Sequence, residues 1–191
     1  MDLINAINRR RSARKFLPRS PEKDQILPIM EAARFAHSIA NRQVLRYMVC
    51  LNKAKSLRIN DFVNLSTIHQ NLHENEENTS APAYIICAGP EGESPNLYAD
   101  VGTAFQNMSL AAMTEKLSMC FVTEFDSEQI TKEFELPPGF KILAIFAIGT
   151  AAESSVAYNA ESLPEHIENA SDSRIIQIPK LRASQITTWI E

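Results

Sequence analysis

The sequence contains little glycine, few cysteines and no long apolar run. There are 5 glycines and 3 cysteines among its 191 residues. Cys50, Cys87 and Cys120 fall in separate apolar segments without metal-ligand spacing, so we expect buried, reduced thiols. No apolar run approaches the roughly 20 residues of a membrane span, and the N-terminus lacks the apolar segment of a signal peptide. We therefore expect a cytoplasmic protein with no membrane partner.

Positive charge is scarce outside one short segment. The formal net charge is −4 and hydrophobic residues make up 45% of the chain. A nucleic-acid-binding protein usually spreads basic residues over a broad face, so we expect no nucleic-acid partner. The hydrophobic content suffices for one core, which predicts a single domain over residues 1–191. Residues 151–191 carry little apolar signal, and we predict that they form a C-terminal extension packing on a partner subunit.

The basic segment is Arg9-Arg10-Arg11-Ser12-Ala13-Arg14-Lys15-Phe16, which follows a short helical repeat of apolar residues at 3–7. If the segment is extended, Arg10, Ser12 and Arg14 point to one side. Two guanidiniums and a hydroxyl on one side can close on a phosphate, because the guanidinium supplies paired N–H donors. The alternative is a solvated basic arm, and this run alone leaves both interpretations open.

Apolar periodicity and turn residues predict a mixture of helices and strands. Helices are predicted over residues 21–35, capped by Ser20, over 53–72 and 96–117, and from Asp126 or Ser127 to about residue 134. Strands are predicted over residues 44–51, 83–88, 119–125, 141–149 and, at a sheet edge, 174–179. The segment 141–149 is the most apolar, which predicts a central strand. Small residues along 96–117 predict close packing on another helix or subunit.

His69 and His73 are four residues apart, a spacing that places two imidazoles on one helix face as in some metal sites. No third ligand lies nearby on that face, because Glu74 is adjacent to His73. We therefore assign no metal ligand.

Four segments taken together resemble the FMN-dependent nitroreductase family. The first, family pattern Arg-Arg-Ser-x-Arg-x-Phe, is Arg10-Arg11-Ser12-Ala13-Arg14-Lys15-Phe16. The second, Ala-Pro-Ser-x-x-Asn-x-Gln-Pro, is Ala36-His37-Ser38-Ile39-Ala40-Asn41-Arg42-Gln43-Val44, and it matches at Ser38, Asn41 and Gln43. The third is Asp100-Val101-Gly102-Thr103-Ala104-Phe105-Gln106-Asn107 with Leu110-Ala111-Ala112, and the fourth is residues 120–126, Leu136-Pro137 and residues 142–149. Order and spacing agree over residues 1–150, which favours phosphate binding for the basic segment.

The resemblance implies an α+β fold with a central, mostly antiparallel sheet flanked by helices, in an intertwined homodimer. It implies FMN as the cofactor. The implied reaction passes hydride from NADH or NADPH through flavin N5 to a nitroaromatic, a quinone or a similar planar acceptor, in a ping-pong cycle. The flavin carries the chemistry, so no catalytic side chain is assigned.

The resemblance also implies which residues bind the cofactor. The phosphate and the pyrimidine edge fall to Arg10, Arg11, Ser12 and Arg14 of one subunit, and the other subunit contributes Ser38, Ile39 and Asn41. Gln43 is also expected to bind the cofactor. A backbone N–H within Val122, Thr123 and Glu124 is expected beside N5. Lys180 and Arg182 are expected to complete the phosphate site, with Arg174 as a third candidate.

The chain departs from the family pattern at glycines and prolines. Lys116-Leu117-Ser118 stands where the family usually has Gly-Leu-Gly, and the prolines of the second motif are replaced by His37 and Val44. These changes keep a second function open, an FMN-binding relative with weak or no redox turnover that serves as a binding or interaction protein.

Overall fold

Four antiparallel strands form the central sheet, in the order β1–β3–β6–β4. The structure is a computed structural model that describes residues 2–65, 80–92, 96–164 and 175–190. Its strands are β1 (Arg46–Cys50), β2 (Val63–Asn64), β3 (Ala83–Pro90), β4 (Ser118–Val122), β5 (Glu124–Phe125), β6 (Phe140–Gly149), β7 (Ser154–Ala160) and β8 (Ile175–Leu181). Its helices are α1 (Leu3–Arg9), α2 (Lys23–Arg34), α3 (Lys53–Asn60), α4 (Leu97–Thr114), α5 (Ser127–Glu133) and α6 (Ala183–Ile186). The predicted α+β class with a mostly antiparallel sheet is confirmed.

The most apolar strand is central, as predicted. β6 pairs with β3 on one side and β4 on the other, and it is buried from Ile142 to Gly149. A strand buried on both faces must be apolar throughout, which is why this segment shows no polar alternation.

Helices cover both faces of the sheet. On one face α2 packs against α4 through Ile29, Ala104 and Met108, and the small residues of α4 allow this close approach. The Asn107 side-chain amide donates to the Ala32 carbonyl oxygen across the helix pair, at 3.2 Å. The close helix packing predicted for α4 is confirmed within the chain.

Two helix boundaries differ from the prediction because the side chains of Ser20 and Asn60 form hydrogen bonds with another segment of the chain. Helix α2 begins at Lys23 with a capping box between Glu22 and Gln25, whereas the predicted cap Ser20 donates instead to the Pro82 carbonyl oxygen at 3.1 Å. The prediction of one helix over 53–72 was wrong at residues 61–65, since α3 ends at Asn60 and β2 follows. The Asn60 amide oxygen accepts from the Ala81 N–H at 2.9 Å, which ties the helix end to the start of β3. Residues 66–79, with His69 and His73, lie outside the described residues.

The C-terminal part forms a ribbon that the sequence predicted only in part. The predicted edge strand is β8, and it pairs in parallel with β7, a segment read from the sequence as polar tail. Parallel pairing requires a long connection, so β7 has no local partner that a sequence pattern would reveal. No described helix is both long enough and apolar enough to span a bilayer.

Candidate functional site

The basic segment is extended and lies along the outer edge of β4. Ser12 forms a parallel bridge with Met119, and the Ala13 N–H donates to the Met119 carbonyl oxygen at 3.3 Å. Ala13 is buried in the core, so its neighbours Ser12 and Arg14 point away from it, as the predicted alternation requires. We call residues 10–17 the basic arm.

The C-terminal half of the basic arm is clasped by the chain that leaves β6. The Leu17 N–H donates to the Thr150 carbonyl oxygen at 2.8 Å, and the Ala152 N–H donates to the Lys15 carbonyl oxygen at 2.9 Å. Phe16 is buried between these two hydrogen bonds and pairs with Ala151. The arm is therefore docked on the core at Ser12 and Ala13 and again from Lys15 to Leu17.

Gly149 permits this docking. A Cβ at Gly149 would lie 2.6 Å from Pro82 Cγ and 3.1 Å from Phe16 Cδ1, and the first distance is shorter than real Cβ contacts show. The absence of a side chain, rather than an unusual backbone angle, is what this position requires.

A cavity of about 150 Å³ lies between the basic arm, the C-terminal half of α4 and the start of β7. Its charged and hydroxyl-bearing lining includes Arg9, Arg10, Arg11, Ser12, Glu153 and Ser154. Arginine side chains predominate among the charged groups, so the cavity favours an anion.

Two guanidinium atoms in this cavity are buried and lack a hydrogen-bond partner. They are Arg10 Nη1 and Arg11 Nε. Burial lowers the pKa of Arg10, and the positive charge of Arg11 lowers it further; burial alone lowers the pKa of Arg11. A buried donor without a partner costs roughly 1–3 kcal/mol, so these atoms fit an anion that accepts from them. The residues present therefore suit a phosphate group.

Arg14, which the alternation predicted on the same side as Arg10 and Ser12, is not among the residues that line the cavity. Its N–H donates at 2.5 Å to Oε1 of Glu153, which does line the cavity. Burial raises the pKa of the Cys120 thiol, and the charges of Arg14 and Arg10 oppose that rise.

Cys87 and Cys120 are buried, unpaired thiols, as is Cys50. Burial raises the pKa of Cys87 to about 12. The Cys87 thiol is therefore protonated at neutral pH.

The second motif forms a strained loop at the other end of α4. Ala40, Asn41 and Gln43 have positive φ angles of 53°, 53° and 50°. Such conformations cost on the order of 1 kcal/mol each for residues other than glycine, and they persist where the surroundings fix them. The Ser38 hydroxyl accepts from the Gln43 N–H at 2.8 Å, and Asn41 Oδ1 accepts from Gln43 Nε2 at 2.9 Å.

Asp100, in the first turn of α4, anchors this loop through its side-chain carboxylate. Its Oδ1 accepts from the Ile39 N–H at 2.9 Å, while Oδ2 is buried without a partner. The Thr103 hydroxyl donates to the His37 carbonyl oxygen at 2.9 Å. A second cavity of about 240 Å³ opens beside the loop and is lined by Ser38, Gln43, Tyr47 and Asp100 among others.

The two motif segments lie far apart within one chain. Asp100 contacts the loop, and Ser109 and Met113 line the arginine cavity. They lie 9 and 13 residues beyond Asp100 on α4, about 14 and 20 Å at 1.5 Å per residue. The structure therefore brings Arg10, Arg11 and Ser12 together at one end, and Ser38, Asn41 and Gln43 together at the other.

The segment predicted beside N5 lies at the end of β4 and the start of β5. Val122 is buried, whereas Thr123 and Glu124 are exposed. Asn64 Nδ2 donates to Glu124 Oε2 at 3.2 Å, and the β2–β5 pairing holds the same segment. From the Ser12 bridge at Met119 to Thr123 is four residues, about 13 Å along the strand.

The predicted C-terminal lysine and arginine do not line the arginine cavity of their own chain. The β7–β8 register pairs Ser154, at the cavity, with Ile175, and pairs Asn159 with Lys180. Lys180 is therefore about 17 Å along the ribbon from the cavity end. Arg182 instead forms an ion pair with Glu161 at 3.0 Å. Arg174 lies outside the described residues.

Sequence reasoning missed Glu153 and Asp100 as site residues. Asp100 belongs to a recognised motif, so its place in that motif was an available signal. Glu153 is 139 residues from its partner Arg14, and no local pattern connects them.

The four-stranded antiparallel sheet flanked by helices defines an α+β protein, and the arginine-lined cavity at the sheet edge suits an anion. A model of the nitroreductase family matches residues 7–150, and the chain belongs to that family. No curated protein sequence matches it.

Solved structures of similar fold include a nitroreductase with bound FMN from Desulfitobacterium hafniense, at 19% identity over 98% of this chain and 97% of that one, with a TM-score of 0.69. An FMN-dependent nitroreductase from Clostridium difficile is similar at 22% identity over 84% and 94% of the two chains, with a TM-score of 0.64. A second nitroreductase family protein from Clostridium difficile is similar at 23% identity over 80% and 86%, with a TM-score of 0.64. At these identities the likeness shows the fold.

Proposed function

We propose that this protein is an FMN-dependent NAD(P)H oxidoreductase of the nitroreductase type. The observation that carries the proposal is the pair of buried, unpartnered donors, Arg10 Nη1 and Arg11 Nε, in a cavity at the sheet edge. Their chemistry suits the phosphate of a mononucleotide, and membership of the nitroreductase family indicates which mononucleotide. The two solved relatives described as FMN-bound or FMN-dependent support the same cofactor.

In this proposal Arg10, Arg11 and Ser12 hold the phosphate, and Arg14 contributes positive charge beside them. The backbone N–H of Thr123 or Glu124 donates toward N5, a contact that needs geometry and no particular side chain. When bound, FMN supplies hydride transfer at N5, in a ping-pong cycle from NADH or NADPH to a nitroaromatic, quinone or similar planar acceptor. The chain's own residues bind and orient, and none is required as an acid or base.

We further propose a homodimer in which each site combines two chains. The separation of about 14 to 20 Å along α4 between the strained loop and the arginine cavity supports taking Ser38, Ile39 and Asn41 from the second chain. Large apolar side chains stay exposed on the chain, including Trp189 at 85% and Ile190 at 95%. Exposed apolar surface of this kind marks interaction sites.

The C-terminal residues 151–191 are proposed as the extension of a single domain, reaching over the partner. Val156 and Tyr158 of the ribbon are exposed in one chain, which supports a covering surface outside it. Lys180 and Arg182 are proposed to reach the phosphate site only across such an interface, because they do not reach it within their own chain.

The second candidate function is an FMN-binding relative with weak or no redox turnover. Lys116 adopts a φ of 58° where the family usually has glycine, so the chain keeps the left-handed turn but fills it with a long side chain. The lysine at this left-handed position supports the second candidate, because the side chain replaces a glycine of the family pattern.

The test is the absorption spectrum of the purified protein, reconstituted with FMN and then mixed anaerobically with NADH or NADPH. The oxidoreductase proposal predicts a flavin spectrum that either nucleotide bleaches and that a quinone or nitroaromatic restores. Bound FMN that neither nucleotide reduces would favour the second candidate. Colourless protein that fails reconstitution and binds DNA or RNA in a salt-sensitive manner would contradict both. Cell fractionation tests the proposed cytoplasmic location.

A further inference from the structure

Glu153 is an acidic side chain placed in a cavity that otherwise suits an anion. It lines the cavity together with Arg10, Arg11 and Ser12. A carboxylate beside a bound phosphate repels it, so this position requires a compensating role.

The contacts of Glu153 indicate what that role is. Oε1 accepts from the Arg14 N–H at 2.5 Å and from the Lys15 N–H at 3.3 Å, while Oε2 is buried without a partner. Consecutive backbone N–H groups that converge on one oxygen form a small anion-binding nest. The carboxylate fills that nest and leaves Arg10 Nη1 and Arg11 Nε without partners.

The same contacts lie between the two docking points of the basic arm. Ala13, just before these contacts, bonds to Met119, the Lys15 carbonyl oxygen also accepts from Ala152, and Leu17, just after them, bonds to Thr150. The Arg14 N–H donates to the Glu153 side chain and to no strand of the described sheet. Without that acceptor, the arm would be free at Arg14, directly C-terminal to the docking point that follows Arg10, Arg11 and Ser12.

We propose that Glu153 is a positioning residue of the phosphate site. Its carboxylate fixes the backbone at Arg14 and Lys15, and this keeps Arg10, Arg11 and Ser12 directed into the cavity. The gain from a fixed arm exceeds the repulsion between the carboxylate and the phosphate. This inference rests on the proposed function, because it takes FMN as the ligand whose phosphate enters the cavity.

Two substitutions of Glu153 distinguish the effect of its hydrogen bonds on the arm from the effect of its negative charge. Glu153→Gln keeps an oxygen that accepts from the two N–H groups and removes the charge, whereas Glu153→Ala removes both. Glu128→Ala is the matched control, because Glu128 is an acidic residue whose side chain is 80% exposed on α5 and pairs only with Lys132.

Binding of FMN and of riboflavin, which lacks the phosphate, is measured by flavin fluorescence on the flavin-free protein. Glu153→Ala should weaken FMN binding at least tenfold and leave riboflavin binding unchanged. Glu153→Gln should bind FMN as tightly as the parent or more tightly. Equal weakening of both flavins by Glu153→Ala would overturn the proposal, because a general structural loss acts on both. Tighter FMN binding by Glu153→Ala would overturn it too, since Glu153 would then be a competitor of the phosphate.

Amide hydrogen exchange in the flavin-free protein distinguishes this inference from the proposed function. Exchange at Arg14 and Lys15 should accelerate in Glu153→Ala and stay near the parent rate in Glu153→Gln and Glu128→Ala. Unchanged exchange in Glu153→Ala would overturn the positioning role even if the parent binds FMN. A parent that binds no FMN, with exchange accelerated as expected, would overturn the function and leave the anchor standing.

Discussion

Adding one methyl group at Gly149 should undock the basic arm. The new Cβ would lie 2.6 Å from Pro82 Cγ, 2.9 Å from Pro82 Cδ and 3.1 Å from Phe16 Cδ1, where ordinary contact begins at 3.4 Å. The proline ring is tied to the backbone at the start of β3 and cannot swing away as a flexible side chain does. Relief therefore requires the chain at Gly149 to move away from Pro82, and this movement displaces the adjoining Thr150, whose carbonyl oxygen accepts from the Leu17 N–H of the arm.

Overpacking of this size costs about 1–3 kcal/mol. We expect Gly149→Ala to lower the free energy of unfolding by that amount in urea denaturation. If the strain is relieved by undocking the arm, FMN affinity should fall by the same free energy, which is about 5-fold to 150-fold.

A second substitution at Pro82 and a control at Gly102 test whether this steric contact is the cause. Pro82→Ala removes the Cγ and Cδ atoms that the new methyl group meets, so the double variant should recover part of the loss, with a coupling energy on the order of 1 kcal/mol. Gly102→Ala is the matched control, since nothing lies within 4 Å of a Cβ there and the arm is distant. The reasoning is refuted if Gly149→Ala is as stable as the parent and binds FMN equally well.

Three further substitutions test other parts of the account. Arg10→Ala removes a buried donor that has no partner, so the flavin-free protein should not lose stability. FMN affinity should nevertheless fall about 10-fold to 150-fold. A loss of thermal stability without a change in FMN affinity would contradict this prediction. Asp100→Ala leaves the Ile39 N–H without its acceptor and should lower the free energy of unfolding in urea by about 1–3 kcal/mol. Amide exchange at Ile39 should be faster. Unchanged exchange would show that Asp100 does not anchor the loop. Trp189→Ala should weaken the proposed dimer by about 2 kcal/mol, or roughly 30-fold by sedimentation, with Trp189→Phe as the control; an unchanged dimer would exclude the tail from the interface.

The elements that the sequence predicted well are those specified by their own residues. β6 is apolar throughout because it is buried on both faces, and α4 carries a repeat of small residues because it packs on α2. Both signals are local, and the structure confirms both.

The elements that were missed depend on distant partners. α3 ends at Asn60 because that side chain is used by Ala81, 21 residues later. β7 exists as a strand because β8 pairs with it in parallel, and its alternating exposure leaves a weak apolar pattern. A pattern within a short window carries no information about such partners.

The candidate site also contains residues with a local sequence signal and residues that depend on distant partners. The arginines of the basic arm and the residues of the strained loop stand in compact motifs, so the sequence alone makes them candidates. Glu153 acts on Arg14 across 139 residues of chain, and the requirement for a bare glycine at Gly149 arises from two side chains in other segments. These contacts exist only once the fold has assembled.

The most direct test of the central claim is a crystal structure of the protein with FMN bound. The account predicts phosphate oxygens within hydrogen-bonding distance, about 2.7–3.2 Å, of Arg10 Nη1 and Arg11 Nε. A flavin phosphate held elsewhere, with both guanidiniums turned into solvent, would contradict it.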